Sequence, residues 1–364
     1  MSLGVQENVA LAPLTTLKVG GPARYFMSVT SAQELGEALQ FAQNKKVPVL
    51  VLGGGSNLLV SDEGFGGLVI ELKTTGISGD VRGNRVLLWA AAGEPWDKVV
   101  VYAVEQGWGG IENLSGVPGS TGGALVQNIG AYGQTLADSV REVETVEIAT
   151  GVTKTFNRAA CKFAYRESFF KHAASGRYVV TSVTLQLKSQ ANINISYKDM
   201  RGGLAKVLDG KALTLKTVRE AVIETRARKG MVILPDYEAL QSVGSFFLNP
   251  IVTARQFGQV RTAAEKIDAA KTKKLEPWHW DLPGGAVKLS AAFLNEFTPY
   301  PKGYRQGNVG VSARHSLALV TYPGATADEF VKLARVVQQA VKDRFGIVLK
   351  AEAQLVGFSK RMLH

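Results

Sequence analysis

Residues 109–133 read GGIENLSGVPGSTGGALVQNIGAYG and carry eight glycines in 25 residues, without one Lys or Arg. Glycine adopts φ > 0 and lets the main chain approach a ligand closely, but ordering it costs more entropy than ordering any other residue. A stretch this dense in glycine therefore predicts a binding surface made of backbone. An ordinary glycine-rich loop is the alternative.

The segment VPGSTGGA at residues 117–124 predicts a tight turn that leads into a short helix. The first amides of a helix have no partner within the helix, and they can bind a phosphate or a cofactor carbonyl without a cationic side chain. We expect free amides at the start of this helix to hold such a ligand.

A second glycine-rich loop, GGGSN at residues 53–57, lies upstream. An amphipathic helix with a capping box at Ser31 and Glu34 precedes it, followed by an apolar strand at 47–52. Backbone amides at the C-terminal end of a strand are a frequent ligand site in α/β folds. The loop is not the dinucleotide fingerprint, because GxGxxG must open a helix, whereas LLV at 58–60 continues as a strand. The sequence is equally compatible with a phosphate-binding loop and an ordinary turn.

The chain has 364 residues, more than one hydrophobic core usually serves, so two or three domains are expected. Hydrophobic residues make up 46% and charged residues 20%, which excludes a disordered chain. No apolar run approaches the roughly 18 residues that a membrane span needs, and the N-terminus shows no export signal. The single cysteine, Cys161, cannot form an internal disulfide, and together these features predict a cytoplasmic protein.

The formal charge of +11 and the pI near 9.6 point to nucleic acid or an anionic small molecule as partner. The cations are scattered, and their densest clusters, at 226–229 and 271–274, are not interleaved with aromatic residues as in nucleic-acid binders. An enzyme that handles phosphorylated ligands explains the charge equally well. The four histidines lack metal-ligand spacing, so no metal site is expected.

A helix is predicted from Thr214 onward, and its apolar stripe continues into Arg226 and Lys229, where core residues would be expected. We interpret the two cations as ligands for phosphates, and we expect replacement of either cation to leave thermal stability nearly unchanged. The alternative is that the two cations complement the helix dipole. Residues 271–280 are predicted to form a charged, aromatic loop. A final helix is predicted after a cap at Thr326, followed by a short strand at 347–349 that leads to Glu352.

Three further stretches carry candidate chemistry. YRESFFK at 165–171 places Arg166 among aromatic residues, a setting suited to binding a carboxylate. GSFFLNP at 244–250 sets the Ser245 hydroxyl between a glycine and two large apolar residues, and it lacks the GxSxG of hydrolases. Glu352 lies between two alanines in LKAEAQLVG at 349–357. A surface loop is the alternative interpretation of each.

Taken together and in this order, five motifs resemble the family of UDP-N-acetylenolpyruvoylglucosamine reductases from about Thr16 to Gly357. They are GGGSNLLV, NLSGVPGSTGGALVQNIGAYG, YRESFFK, GSFFLNP and LKAEAQLVG. The resemblance implies an NADPH-dependent FAD enzyme of bacterial peptidoglycan precursor synthesis. Such an enzyme reduces the enolpyruvyl ether of UDP-N-acetylglucosamine-enolpyruvate to UDP-N-acetylmuramate.

The fold implied by the resemblance is α+β. An FAD-binding fold like that of vanillyl-alcohol oxidase is expected, with one subdomain at 1–72 completed by 326–364 and a second at 73–212. A C-terminal α+β substrate-binding domain is expected at 213–325. Non-covalent FAD, a monomer and no metal, nucleic acid or membrane insertion complete the expectation.

The resemblance also implies the site residues, position by position. The catalytic residues would be Arg166, Ser245 and Glu352. FAD would be bound by Gly53, Gly54, Gly55, Ser56, Asn57, Pro118, Gly119, Gly122, Gly123, Ala124, Gly130 and Tyr132. The nucleotide sugar would be bound by Tyr165, Tyr197, Arg226, Lys229 and Asn249, with Tyr197 in the loop of one of the family's two subtypes.

In the mechanism that the resemblance implies, Arg166 binds the substrate carboxylate, Glu352 stabilises the enolate-like intermediate, and Ser245 donates a proton. Two departures from the family pattern affect local geometry. Ala351 and Ala353 replace the Pro and Val that often flank the acid, and the segment 230–243 is long. The rival hypotheses are another FAD oxidoreductase of the same fold and a non-catalytic protein that binds a UDP-sugar.

Overall fold

The computed structural model describes residues 4–190, 193, 207 and 211–358. Within them lie seven α-helices: α1 (Ala32–Lys45), α2 (Trp96–Glu105), α3 (Thr121–Gln127), α4 (Leu215–Arg228), α5 (Ala254–Lys274), α6 (Ala291–Glu296) and α7 (Ala327–Phe345). The first strands are β1 (Gln6–Ala10), β2 (Pro22–Val29), β3 (Val49–Leu52), β4 (Leu58–Val60), β5 (Phe65–Leu72), β6 (Ile77–Arg82), β7 (Arg85–Ala91), β8 (Gly130–Ala131), β9 (Gln134–Thr135), β10 (Val140–Glu147), β11 (Thr153–Asn157) and β12 (Tyr178–Lys188). The later strands are β13 (Ser242–Ser245), β14 (Ile251–Thr253), β15 (His279–Asp281), β16 (Ala286–Leu289), β17 (Arg305–Gln306), β18 (Val309–Val311), β19 (Ala318–Thr321) and β20 (Gln354–Val356).

The chain divides into two compact units. The first contains the described residues within Met1–Val9, Ala23–Ser56 and Phe65–Ala239, and the second those within Ala10–Pro22, Asn57–Gly64 and Leu240–His364. These units are drawn differently from the three expected domains, because α4 lies in the first unit and α7 in the second. The division into three domains stays a prediction.

The first unit holds two large sheets and the two-stranded pair of β8 and β9. One has the strand order β1-β2-β5-β3, with β2 and β3 both parallel to β5. The other is antiparallel, in the order β11-β10-β12-β7-β6. Helix α1 begins as predicted at its cap Ser31, whose side chain accepts from the Glu34 amide. Glu34 in turn accepts from the amide of Thr30 at 2.6 Å.

The second unit holds a four-stranded antiparallel sheet, β13-β19-β18-β17, and a three-stranded one, β14-β16-β15. Its third sheet is the parallel pair of β20 and β4. Helix α7 forms where it was predicted, because Thr326 and Glu329 close a full capping box and Gly346 ends the helix in the left-handed conformation. Its apolar face is buried in a core that includes Phe246, Phe247 and Phe330.

Two local predictions in the second unit are wrong. Residues 347–349 do not form a strand; the extended segment beyond them pairs only at the isolated bridge between Phe247 and Ala351. Residues 271–274 were predicted to begin a loop, yet α5 continues through them past a kink at Asp268. The Asp268 carboxylate caps the resumed helix by accepting from the Lys271 amide, which compensates for the kink.

Candidate active site

The two glycine-rich stretches of the first unit pack directly against each other. A β carbon on Gly53 would lie 2.2 Å from the Ser120 Oγ, and one on Gly54 would lie 2.6 Å from the Gly119 Cα. Gly119 also has φ +117°, in the region that favours glycine. The close approach of the two turns therefore calls for glycine at these three positions. The sequence analysis had explained the glycines by contact with a ligand instead.

The loop at 53–56 exposes a run of backbone donors beside this contact. In the described part of the chain, the amides of Gly53, Gly54, Gly55 and Ser56 donate to no protein acceptor. Gly55 has φ +59°, and the Ser56 hydroxyl donates to the Pro118 carbonyl at 3.0 Å, which joins the two turns. Successive free amides in such a turn form an oxyanion-binding nest.

The start of α3 does not supply free amides, and this prediction is wrong. The Thr121 amide donates to the Glu94 carbonyl and the Gly122 amide to the Ala92 carbonyl, each at 2.8 Å. The Gly123 amide donates to the Ser120 Oγ, which is the helix cap. The acceptors are brought in by the residues that follow β7, which the local sequence of α3 cannot reveal.

The turn just before α3 does carry unused donors. Among the described residues, the amides of Gly119 and Ser120 have no protein acceptor, and both lie next to the 53–56 loop. The donor set of the candidate site thus comes from two turns and not from a helix terminus. Gly122 is held close to Ala92, since a β carbon on Gly122 would lie 3.0 Å from the Ala92 Cβ, so it serves helix packing.

Arg166 is held in one place by its own main chain and by its side chain. It has φ +57°, an uncommon conformation for a non-glycine residue, at the tip of a tight turn closed by mutual hydrogen bonds between Ala164 and Glu167. Lys171 Nζ donates to the Arg166 carbonyl at 2.9 Å. Arg166 Nη2 donates to the Gly130 carbonyl at 2.8 Å, which brings two predicted site residues together.

Tyr132 and Tyr165 lie beside cations. Tyr132 also has a positive φ, +48°, and Lys229 Nζ lies 5.8 Å from its ring centre. The Arg166 guanidinium lies 5.7 Å from the Tyr165 ring centre. Strained backbone persists only where the surroundings fix it and is concentrated at functional sites, so Tyr132 and Arg166 share a feature of such sites.

Arg226 is anchored to backbone. Its Nε donates to the Gly116 carbonyl at 3.1 Å and its Nη2 to the Met231 carbonyl at 2.9 Å. Burial lowers the pKa of the Arg226 guanidinium, and the nearby Tyr132 and Asp97 oppose that shift. Because two of its nitrogens donate to protein carbonyls, the Arg226 side chain stabilises the fold. The expectation that its replacement leaves thermal stability unchanged did not take these bonds into account.

Two residues that the sequence did not single out, Asp97 and Arg219, form a bidentate ion pair in the first unit. Arg219 Nη1 and Nη2 each lie 2.6 Å from one oxygen of the Asp97 carboxylate. Asp97 Oδ1 also accepts from the Gly116 amide at 2.6 Å. The partners are 122 residues apart, so no local pattern could reveal them.

In the second unit, the segments around Ser245 and Glu352 are joined by backbone. Ser245 ends β13 opposite Ala318 of β19. The Glu352 amide donates to the Phe246 carbonyl at 2.8 Å, and the Asn57 side chain donates to the Glu352 carbonyl at 3.4 Å. The structure therefore brings Asn57, Ser245 and Glu352 into one neighbourhood.

Two predicted substrate-binding residues remain, Asn249 and Tyr197. The Asn249 Oδ1 accepts from the amide of Ala291 at 2.9 Å, so this side chain already has a structural contact at the start of α6. Tyr197 lies outside the described residues. Within the described ranges, no three His, Cys, Asp or Glu side chains gather as a metal site requires, and no helix has the length and apolar character to cross a membrane.

Comparison with known proteins places this geometry in a family. An FAD binding domain model matches residues 23–157, and a model of the UDP-N-acetylenolpyruvoylglucosamine reductase C-terminal domain matches residues 235–356. These matches confirm the predicted fold class, an FAD-binding fold followed by a C-terminal domain, with mixed helix and strand content.

Relatives match over nearly the whole chain. A UDP-N-acetylenolpyruvoylglucosamine reductase of Thermobifida fusca is 40% identical, covering 98% of this chain and 99% of the relative. The UDP-N-acetylenolpyruvoylglucosamine reductase of Mycobacterium tuberculosis is 39% identical, covering 97% of this chain and 95% of the relative. The crystal structure of the reductase from Thermus caldophilus superposes with a TM-score of 0.61 at 28% identity, over 96% of this chain and 98% of that one. The chain belongs to the UDP-N-acetylenolpyruvoylglucosamine reductase family.

Proposed function

We propose that this chain is an FAD-containing oxidoreductase that uses NADPH to reduce UDP-N-acetylglucosamine-enolpyruvate to UDP-N-acetylmuramate. The observation that carries the proposal is the pair of interlocked glycine turns, at 53–56 and 118–120, inside the matched FAD binding domain. Membership of the reductase family over both domains supplies the substrate and the reductant.

The residues present fit the diphosphate of FAD. Six backbone amides without protein acceptors among the described residues, from Gly53 to Ser56 and at Gly119 and Ser120, lie on two turns in contact. Backbone donors bind a diphosphate without a cationic side chain, and neither stretch contains Lys or Arg. When bound, the flavin supplies hydride transfer between NADPH and the enolpyruvyl group.

Arg166 is proposed to bind the carboxylate of the enolpyruvyl group. A guanidinium binds a carboxylate best when its orientation is fixed in advance, because less side-chain entropy is then lost. The bonds to Gly130 and from Lys171, together with the left-handed backbone, support such an orientation.

Ser245 is proposed to donate the proton that completes the lactyl ether, and Glu352 to stabilise the negative charge that precedes it. A serine hydroxyl is a poor acid in water, so this role needs a neighbour that favours its transient ionisation. The backbone pairing between the segments of Ser245 and Glu352 supports a joint role, because it holds the two residues on adjacent extended segments.

Tyr165, Tyr197, Lys229, Arg226 and Asn249 are proposed to contact the nucleotide sugar, and Gly122, Gly123, Ala124, Gly130 and Tyr132 to line the flavin site. Of these, Lys229 has the best support, because its ammonium lies beside the ring of Tyr132. For Arg226, Nη1 and the second hydrogen of Nη2 are available for a phosphate, since Nε and one hydrogen of Nη2 donate to carbonyls.

The wider role follows from the reaction. We place the protein in the cytoplasm, as a monomer in peptidoglycan precursor synthesis, and thereby in cell wall biogenesis, cell shape and cell division. Non-covalent FAD is part of the proposal, because the two glycine turns contain neither His nor Cys to form a covalent link to the flavin.

The test is an anaerobic titration of the purified protein. We expect a yellow protein that NADPH bleaches and that the enolpyruvyl sugar restores to yellow, while UDP-N-acetylglucosamine does not. Bleaching without this selective recovery would indicate another FAD oxidoreductase, and bound FAD without bleaching would indicate a binding protein. Acid precipitation should leave all flavin in the supernatant.

A further inference from the structure

The turn that precedes α3, at residues 114–120, is hydrogen-bonded to the first residues of α2. The Trp96 amide donates to the Gly119 carbonyl at 2.9 Å, and the Trp96 indole Nε1 to the Leu114 carbonyl at 3.0 Å. Between these points, the Asp97 carboxylate accepts from the Gly116 amide at 2.6 Å. The path of the chain from 114 to 119 is therefore set by two consecutive residues of one helix.

Helix α4 holds the same turn from its other side. Arg226 Nε donates to the Gly116 carbonyl, so both polar main-chain groups of Gly116 are bound, one by α2 and one by α4. Gly116 has φ +66°, and a β carbon there would lie 2.5 Å from the Ile223 Cδ1. Glycine is favoured here, because the backbone conformation disfavours an L side chain and the Ile223 methyl would have to move to admit one.

The ion pair of Asp97 and Arg219 links the two helices at this point. Only 17% of the Arg219 side chain and 18% of the Asp97 side chain are exposed, which sets this pair apart from the surface ion pairs of the chain. A bidentate contact fixes the plane of the carboxylate, and therefore the direction in which Asp97 Oδ1 accepts from Gly116.

We propose that Asp97 and Arg219 are positioning residues for the anion-binding turn at Gly119 and Ser120. Arg219 orients Asp97, Asp97 orients the Gly116 peptide, and that peptide sets where the free amides of the turn point. The assignment rests on the proposed function only in taking FAD as the ligand of the turn.

The experiment measures FAD binding to the apo-protein by quenching of flavin fluorescence, at a temperature at which circular dichroism shows each variant to be folded. We expect Arg219→Met to raise the Kd for FAD about tenfold or more, the effect of one lost charge-assisted hydrogen bond. Arg219→Lys keeps the charge without the bidentate geometry, so its Kd for FAD should lie between those of the unaltered protein and of Arg219→Met. The matched control is Arg228→Met, which removes a cation from the same helix in an exposed pair with Glu224 and should leave the Kd unchanged.

Melting temperatures of the apo-proteins separate positioning from a structural role. A lower melting temperature with an unchanged Kd for FAD in Arg219→Met and Arg219→Lys would overturn the assignment. In a double-mutant cycle, Asp97→Asn combined with Arg219→Met should weaken FAD binding no more than Asp97→Asn does alone, and additive losses would contradict a shared role. If the unaltered protein binds no FAD, the proposed function itself fails, and this assignment fails with it.

Discussion

The Glu352 amide donates a 2.8 Å hydrogen bond to the carbonyl of Phe246, the residue that follows Ser245. The pairing continues through the bridge between Phe247 and Ala351. The two residues proposed to deliver a proton and to stabilise charge thus lie on neighbouring segments that backbone hydrogen bonds join. Replacement of either side chain leaves these backbone bonds in place.

For Ser245→Ala, we expect NADPH to bleach the flavin at close to the normal rate in stopped flow. Recovery of colour with the enolpyruvyl sugar should slow by ~10²–10⁴, because the proton that accompanies addition to the double bond has lost its donor. The control is Ser242→Ala in the same strand, which should leave both rates near normal. Equal losses in both phases would mean that Ser245 shapes the flavin site, and normal turnover would exclude it as the acid.

For Gly54→Ala, we expect a loss of stability of about 1–3 kcal/mol and weaker FAD binding, because the new β carbon lies 2.6 Å from the Gly119 Cα and backbone must move. The matched control is Gly36→Ala in the exposed middle of α1, where nothing lies within 4 Å of the added carbon. That change should stabilise by roughly 0.5–1 kcal/mol. Urea denaturation measures both, and effects of the same sign would contradict the packing argument.

Arg226→Met and Lys229→Met should differ although the two cations are three residues apart. Arg226→Met loses two hydrogen bonds to carbonyls and should lower the free energy of unfolding by at least about 1.5 kcal/mol. Lys229→Met should raise the KM for the UDP-sugar and change the melting temperature little. Equal melting temperatures for the two variants would show that the Arg226 contacts are energetically neutral.

Cys161 gives a prediction on pH. Burial raises the pKa of its thiol to about 12, from an ordinary value of 9.0. Above pH 9 the unfolded chain loses this proton while the folded chain keeps it, so the free energy of unfolding should fall by up to about 1.4 kcal/mol per pH unit. Cys161→Ala should lack this part of the decline between pH 8 and 10. Identical pH profiles for the two proteins would contradict the burial effect.

The sequence predicted those elements whose signals are local. The caps Ser31 and Thr326 mark the starts of α1 and α7, because a side-chain acceptor three residues before an amide is a contact within one turn. The hairpin of β10 and β11 is joined across Thr150 and Gly151, and turn residues between two alternating runs are a signal of the same local kind.

Contacts between distant residues could not be read from the sequence. The amides of Thr121 and Gly122 were expected to be free because their acceptors, after β7, lie far away along the chain. For the same reason the sequence did not reveal that Arg226 donates a hydrogen bond to the Gly116 carbonyl. Family membership was visible because it rests on the order of motifs, which needs no contact.

The parallel pairing of β4 with β20 has a consequence for how the protein is made. The ribosome delivers Leu58–Val60 early, but their partner Gln354–Val356 follows only after residues 61–353 have been made. The second unit is drawn from 10–22, 57–64 and the region from 240 onward, so it has to wait for these late residues, whereas every segment of the first unit has emerged by residue 239. Translation that stops soon after residue 239 thus yields a chain able to assemble its two glycine turns but lacking Glu352 and the strand beside it.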